Sequence, residues 1–269
     1  KRFKQLKKFE LSYKSFKILK NLAHKYNLKF ISTPLDLESA DFLIKNADII
    51  KISSGDNNFF TLINKILKTN KKLIISCGMM SFDEIRQLEK HIYKFIGKKS
   101  AIDRIALLHC VTSYPVENKY ANLNSIKFLK EKTNLAIGYS DHTIGKEASL
   151  AAVALGADII EKHFTLDKNF SSFRDHNLSA DYKELKTIVE GVKIIKKQLK
   201  NFEKKIQKPE LKFIKIARRS PYAKKNIFPG EKITLDNIEF LRPSIFKNYF
   251  NLKKVLGNKV RKKILKDKI

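Results

Sequence analysis

The chain has 269 residues, 43% of them hydrophobic, which is enough for one sizeable core and a small second domain. Its two cysteines, Cys77 and Cys110, argue against a disulfide framework and for a reducing cytoplasm, and no apolar run approaches the roughly 20 residues that cross a bilayer. The formal charge of +29 comes from lysines spread over every predicted helix, so it reads as solvated faces that attract anions rather than as a specific nucleic-acid surface.

The chain opens on the basic stretch Lys1–Lys8, which lacks the apolar region and small-residue cleavage site of a signal peptide. It begins without Met and within a helical pattern, so a fragment of a longer chain is expected. From there helical and β-branched segments alternate. Helices are predicted over residues 13–26, 37–45, 60–68, 82–96, 123–132, 145–155 and 181–200. Strands are predicted over residues 28–32, 49–53, 72–76, 105–110, 135–140 and 158–163. Ser81 with Glu84 three residues on is a capping box for the helix at 82, and Ser179 is the expected cap for the last one.

Alternating strands and helices imply parallel pairing through right-handed crossovers, which a doubly wound sheet and a (β/α)8 TIM-type barrel both satisfy. The strand ends separate them. Thr33, Ser53-Ser54, Ser76, Thr112, Ser140-Asp141-His142 and Glu161-Lys162-His163 place polar groups at nearly every one. In a barrel these ends converge on the face where active sites lie. The fold expected is therefore an α/β barrel with about six strands present over residues 1–200. A charged linker follows over 201–216, and a small mostly-β domain over 217–269, where Pro229-Gly230 and Arg242-Pro243 mark turns.

Period-two alternation puts Ser140 and His142 on one strand face, and Glu161 and His163 on another. If both faces point inward, two imidazoles meet at the barrel mouth. Neutral imidazoles suit first-row divalent metals and leave positions open for water and substrate, with Glu161 or Asp141 as the acceptor that orients a ring. The alternative is that each histidine caps a strand end. Lys51, Ser54, Ser76 and Ser140 together make a three-sided anion site, with Gly55 letting backbone approach the ligand. Tyr114 either hydrogen-bonds a sugar or anchors its loop. Asp175, in the polar loop Arg174-Asp175-His176, either contacts hydroxyls or makes a turn. His109, inside a strand, reads as a buried, hydrogen-bonded histidine.

Several stretches together resemble the sialic acid synthase family of N-acetylneuraminate, legionaminate and pseudaminate synthases. They are Phe30-Ile-Ser-Thr-Pro-Leu-Asp36, Lys51-Ile-Ser-Ser-Gly-Asp56, Ile75-Ser-Cys-Gly-Met79, Leu108-His-Cys-Val-Thr112, Gly138-Tyr-Ser-Asp-His-Thr143 and Glu161-Lys-His-Phe-Thr165. Ala217-Arg-Arg-Ser220 followed by Asn226-Ile-Phe-Pro-Gly-Glu231 resembles the antifreeze-like (SAF) domain behind that family's barrel. The resemblance implies condensation of phosphoenolpyruvate with an N-acyl mannosamine-type sugar to give a nonulosonic acid and phosphate. It implies His142 and His163 as ligands of Mn2+ or Mg2+, and Lys51, Ser54, Ser76 and Ser140 as phosphoenolpyruvate binders with Thr33 on the same rim. Tyr114 and Asp175 match positions facing the amino sugar. Arg218 or Arg219 matches an arginine reaching into the partner's site of a domain-swapped homodimer. Two departures stand out. Family members begin with two further strands that carry an active-site glutamate and lysine, and Thr112 stands where some carry asparagine. The rival readings are a truncated or split-gene, non-catalytic product, and a basic nucleic-acid-binding protein.

Overall fold

The computed structural model describes residues 2–171, 175–199, 203–244 and 251–268, and Arg174 of the polar loop lies outside them. Among these residues the chain forms two compact units, 1–200 and 201–269.

In the first unit six parallel strands pair in sequence order: β1 Ile31–Ser32, β2 Ile49–Ile52, β3 Lys72–Ser76, β4 Ile105–Cys110, β5 Ala136–Asp141 and β6 Ile160–Lys162. An order without reversal is the barrel pattern, since a doubly wound sheet changes direction at a switch point. The sheet curls, because residues of β1 and of β6 line one cavity. The helices are α1 Arg2–Lys7, α2 Tyr13–Lys25, α3 Leu37–Asn46, α4 Phe60–Leu67, α5 Phe82–Ile96, α6 Lys98–Arg104, α7 Asn124–Lys132, α8 Glu147–Ala154 and α9 Tyr182–Gln198. The edge strands β1 and β6, each with one neighbour, are shorter than their sequence patterns. The sequence reading missed α6, one short helix directly after Gly97 with only Ala101 buried.

Alternation along the strands explains both the core and the site. Residues of one parity, among them Ile50, Ile52, Ile75, Leu107, Ile137 and Tyr139, bury against the helices in the main core. Residues of the other parity face inward. Near the strand starts these are apolar, with Ile74, Ala106 and Leu108 packing on Ile49, Ala136 and Ile159. At the strand ends the same parity brings Lys51, Ser76, Cys110 and Ser140 to a cavity above that apolar plug.

The capping box on α5 forms as expected, with Ser81 N–H donating to Glu84 at 2.6 Å. Ser179 does not cap α9. Asp181 does, accepting from Glu184 N–H at 2.8 Å, while the Ser179 hydroxyl donates to the Asp175 carbonyl at 2.6 Å. In the second unit a 3-10 turn, Lys208–Phe213, runs into α10 Ile214–Ala217. Strands β7 Ser220–Ala223 and β8 Ile238–Leu241 then pair antiparallel over a small core of Ala223, Ile227, Ile238 and Val260.

Candidate active site

A cavity of about 470 Å³ opens at the carboxyl ends of the strands. Lys51, near the end of β2, points its ammonium to Glu161 of β6, with Nζ 3.3 Å from Oε1. Ser140 of β5 donates to that same oxygen at 2.7 Å. The Ser76 hydroxyl, at the end of β3, is buried with no hydrogen-bond partner, a costly state for a polar atom and one that an incoming anion would relieve. Ser54 accepts from the Gly78 N–H at 3.2 Å and keeps its own proton to donate.

Two features fix the loop that follows β3. Asn57 is buried and donates to the carbonyls of Ser76 and Gly78, at 3.3 and 2.9 Å. Gly78 lies so close to its neighbours that a Cβ there would overlap Thr112 Oγ1 and Ser54 Oγ. This crowding is a requirement for glycine that spacing alone did not reveal. Thr112 therefore sits behind the cavity wall, against Gly78.

The two imidazoles do meet: the ring centroids of His142 and His163 are 5.3 Å apart. His142 Nδ1 donates to the Val111 carbonyl at 2.9 Å, which puts the proton on Nδ1 and leaves the Nε2 lone pair beside Ser140, 3.5 Å away. His163 Nδ1 lies 3.6 Å from Asp175 Oδ2. His142 is thus oriented by a backbone carbonyl, not by Asp141 or Glu161 as the sequence suggested, and Asp175 is a carboxylate near His163 beyond direct hydrogen-bond distance. Asp141 points outward to the helices, and Glu161 is taken by Lys51 and Ser140. Among the described residues no set of three His, Cys, Asp or Glu groups gathers as a metal cage. The donor set is two imidazoles, one of which gives its Nδ1 proton to the Val111 carbonyl and so keeps Nε2 free to ligate. That suits an open divalent site whose other positions go to water and substrate.

The Tyr114 ring lies tilted against His142, centroids 4.2 Å apart, and meets His163 edge-to-face at 5.9 Å. Burial, and then the neighbouring Cys110, Asp175 and Glu161, push its phenol above the usual range, so it stays protonated as a donor. Burial alone would raise the Cys110 thiol, but the adjacent His142 together with Ser54 and Ser140 lowers it overall.

The structure thus gathers Thr33, Lys51, Ser54, Ser76, Tyr114, Ser140, His142 and His163 around one cavity. Asp175 stands beside it through His163. Arg218 and Arg219 belong to the second unit, where Arg219 Nη1 donates to the Phe240 carbonyl at 2.9 Å. Sequence reasoning missed Asn57. The signal for Asn57 was its position directly after the Ser-Ser-Gly-Asp turn.

Comparison with known proteins bears on the family and the fold. A profile of the NeuB family matches residues 1–204. The N,N'-diacetyllegionaminic acid synthase of Campylobacter jejuni is 41% identical over 265 residues, covering 98% of this chain and 78% of that protein. The N-acetylneuraminate-9-phosphate synthase of Mus musculus is 32% identical over 229 residues, covering 84% and 62%. Among solved structures, the N-acetylneuraminic acid synthetase of Leptospira borgpetersenii serovar Hardjo-bovis superimposes with a TM-score of 0.69 at 37% identity, covering 76% of this chain and 70% of that one. A curled six-strand parallel sheet, a strand-end cavity and a family match over three quarters of the length lead to one conclusion: the chain belongs to the NeuB family.

Proposed function

We propose that the protein is a phosphoenolpyruvate-dependent transferase that joins phosphoenolpyruvate to an N-acyl mannosamine-type sugar, giving a nonulosonic acid and phosphate. The observation that carries this reading is the shared cavity, with an ammonium and an unpartnered buried hydroxyl on one side and two imidazoles 5.3 Å apart on the other. The first half suits a phosphate ester and the second a carbonyl undergoing attack.

Lys51, Ser54, Ser76 and Ser140 hold the phosphate, so much of the acceleration is positioning and charge complementarity. Thr33 lines the same rim. Tyr114 and Asp175 face the sugar, the phenol as a donor to it. His142 and His163 are the residues that would hold Mn2+ or Mg2+, and the ion supplies Lewis-acid polarisation of the open-chain sugar aldehyde. The C=C π electrons of phosphoenolpyruvate form a carbon–carbon bond from its methylene to the aldehyde carbon, whose C=O π pair goes to oxygen, which takes up a proton. Water adds to the electron-poor C2 and loses a proton, and the C2–O bond then breaks with its electrons leaving on phosphate as the new C2 hydroxyl gives up its proton to become a ketone.

We read the second unit as an SAF-type domain of a domain-swapped homodimer, in which Arg218 or Arg219 serves the partner's cavity, and we place the protein in the cytoplasm. No helix of the described residues is long and apolar enough to cross a membrane.

The test is a panel of N-acylated and diacetamido hexoses with phosphoenolpyruvate, products identified by mass spectrometry, for the wild type and for His142→Ala and His163→Ala. A nonulosonic acid product that vanishes in both variants is the expected result. Full metal-dependent turnover in either variant removes the assignment of the imidazoles.

A further inference from the structure

One buried ion pair lies outside the cavity chemistry. Asp141 and Lys162 are register partners on β5 and β6, and each immediately precedes one of the two imidazole-bearing residues. Both have the outward parity, so the histidines point to the cavity while this pair points to the helix layer. Their side chains are 0% and 2% exposed, with Nζ 3.1 Å from Oδ2.

Both members of the pair are hydrogen-bonded, and most of their bonds converge on the residue after His142. Asp141 Oδ1 accepts from the Thr143 N–H at 2.8 Å and from the Thr143 hydroxyl at 2.7 Å. Oδ2 accepts from Ser149 of α8 at 2.6 Å. Lys162 also donates to the Thr143 carbonyl. Both main-chain groups of Thr143 are therefore tied, one to the residue before His142 and the other to the residue before His163. A buried ion pair contributes little to stability compared with apolar side chains of similar volume, but the hydrogen bonds it makes to the main chain fix local geometry.

We propose that Asp141 and Lys162 are positioning residues that set the separation of the two imidazoles, through the ends of β5 and β6. The proposal rests on the reading of His142 and His163 as metal ligands. Lys51, Ser54 and Ser76 sit on β2 and β3 or the turns after them, and Ser140, although it directly precedes Asp141 on β5, turns to the cavity and bonds Glu161 rather than the pair, so phosphate binding should change far less than Mn2+ binding.

The test uses the full chain and two variants. The Asp141→Asn/Lys162→Met double variant removes both charges, so neither is left buried alone. Thr143→Val removes one hydroxyl tie and keeps the N–H bond. Mn2+ affinity and inorganic phosphate affinity are measured separately by titration calorimetry, without sugar. The double variant should bind Mn2+ roughly 10- to 100-fold more weakly, the range found for groups behind metal ligands, and Thr143→Val should show a smaller loss. Phosphate affinity should stay within about threefold in both, as expected for independent sites. Loss of both affinities in parallel, in either variant, means that the pair only supports the fold and overturns the proposal. Unchanged Mn2+ affinity in a folded double variant does the same. If the double variant does not fold, Thr143→Val decides alone, by whether it weakens Mn2+ and not phosphate. A wild type that binds no Mn2+ while still binding phosphate defeats the ligand reading itself, and the positioning role falls with it.

Discussion

Lys51 and Glu161 face each other across the barrel mouth, Nζ to Oε1 at 3.3 Å, and Ser140 spends its proton on the same oxygen. Two of the groups assigned to phosphate are thus engaged by a carboxylate, and an arriving anion must draw them away. Replacing Glu161 with glutamine removes a negative charge beside the anion and leaves only a neutral amide oxygen, a weaker acceptor for both donors. Inorganic phosphate should then bind about 3- to 10-fold more tightly. Lys51→Met, which deletes a charge-assisted bond, should weaken it by roughly 10- to 100-fold. Calorimetric titration checks both. Weaker phosphate binding in Glu161→Gln would mean that the carboxylate orients Lys51 rather than competing for it.

Ser76 offers a cleaner separation of binding from folding. Its hydroxyl is buried and unpartnered, and so is that of Thr133, at the carboxyl end of α7. An unpaired buried hydroxyl is a cost, so Ser76→Ala and Thr133→Val should each leave the melting temperature unchanged or raise it, by up to ~1 kcal/mol of stability. Only Ser76→Ala should raise the KM for phosphoenolpyruvate, by about tenfold for one lost hydrogen bond. Equal effects of the two on KM would take Ser76 out of the site.

The strand ends were legible because parity and chemistry coincide. Once Ile74 is inside, Ser76 must be, and once Ser140 is inside, His142 follows. Parity is silent about what lies behind an inward group. His142 found the Val111 carbonyl, which no side-chain pattern encodes, and Glu161 turned out to be claimed by Lys51 from a strand four places away in the sheet. The cap of α9 was misplaced by two residues, since Ser179 and Asp181 are both good capping types. The choice fell to Asp181 because the loop turns Ser179 back on the Asp175 carbonyl. Asn57 escaped notice because a lone asparagine after a turn looks like turn chemistry, and its two carbonyl partners lie about twenty residues away in sequence.

Gly78 is where the anion loop is least tolerant. A methyl group there would meet Ser54 and Thr112 side chains at less than contact distance, so one or both must move. Gly78→Ala should cost roughly 1–3 kcal/mol in urea unfolding, the usual penalty for overpacking. It should also weaken phosphate binding, because Ser54 is displaced from the cavity. A variant that loses stability and keeps wild-type phosphate affinity would show that the strain is taken up by Thr112, outside the site.

His109 sets an acid limit on stability that is independent of the reaction. Its ring is buried in β4, stacked on Tyr139 with centroids 5.7 Å apart, and Nε2 donates to the Ala121 carbonyl at 2.9 Å. Burial lowers its pKa, and the Ala121 and Asn122 backbone offsets that only in part. An unfolded histidine titrates near about 6.5, so below that pH the unfolded chain takes up a proton that the folded one resists. The stability from a neutral His109 is therefore complete above about pH 6.5 and is lost as the pH falls through the lower folded value. Asp48 adds a separate step at more acid pH. Burial would raise its carboxyl, but the Phe30 N–H, at 2.7 Å, and His24 hold it below the usual range, so its contribution disappears only below about pH 4. His109→Gln keeps a donor for Ala121 and cannot titrate. Urea midpoints for the wild type should decline between about pH 7 and pH 5, and the variant's should decline measurably less. Parallel declines would show that protonation at His109 is not what limits the fold there.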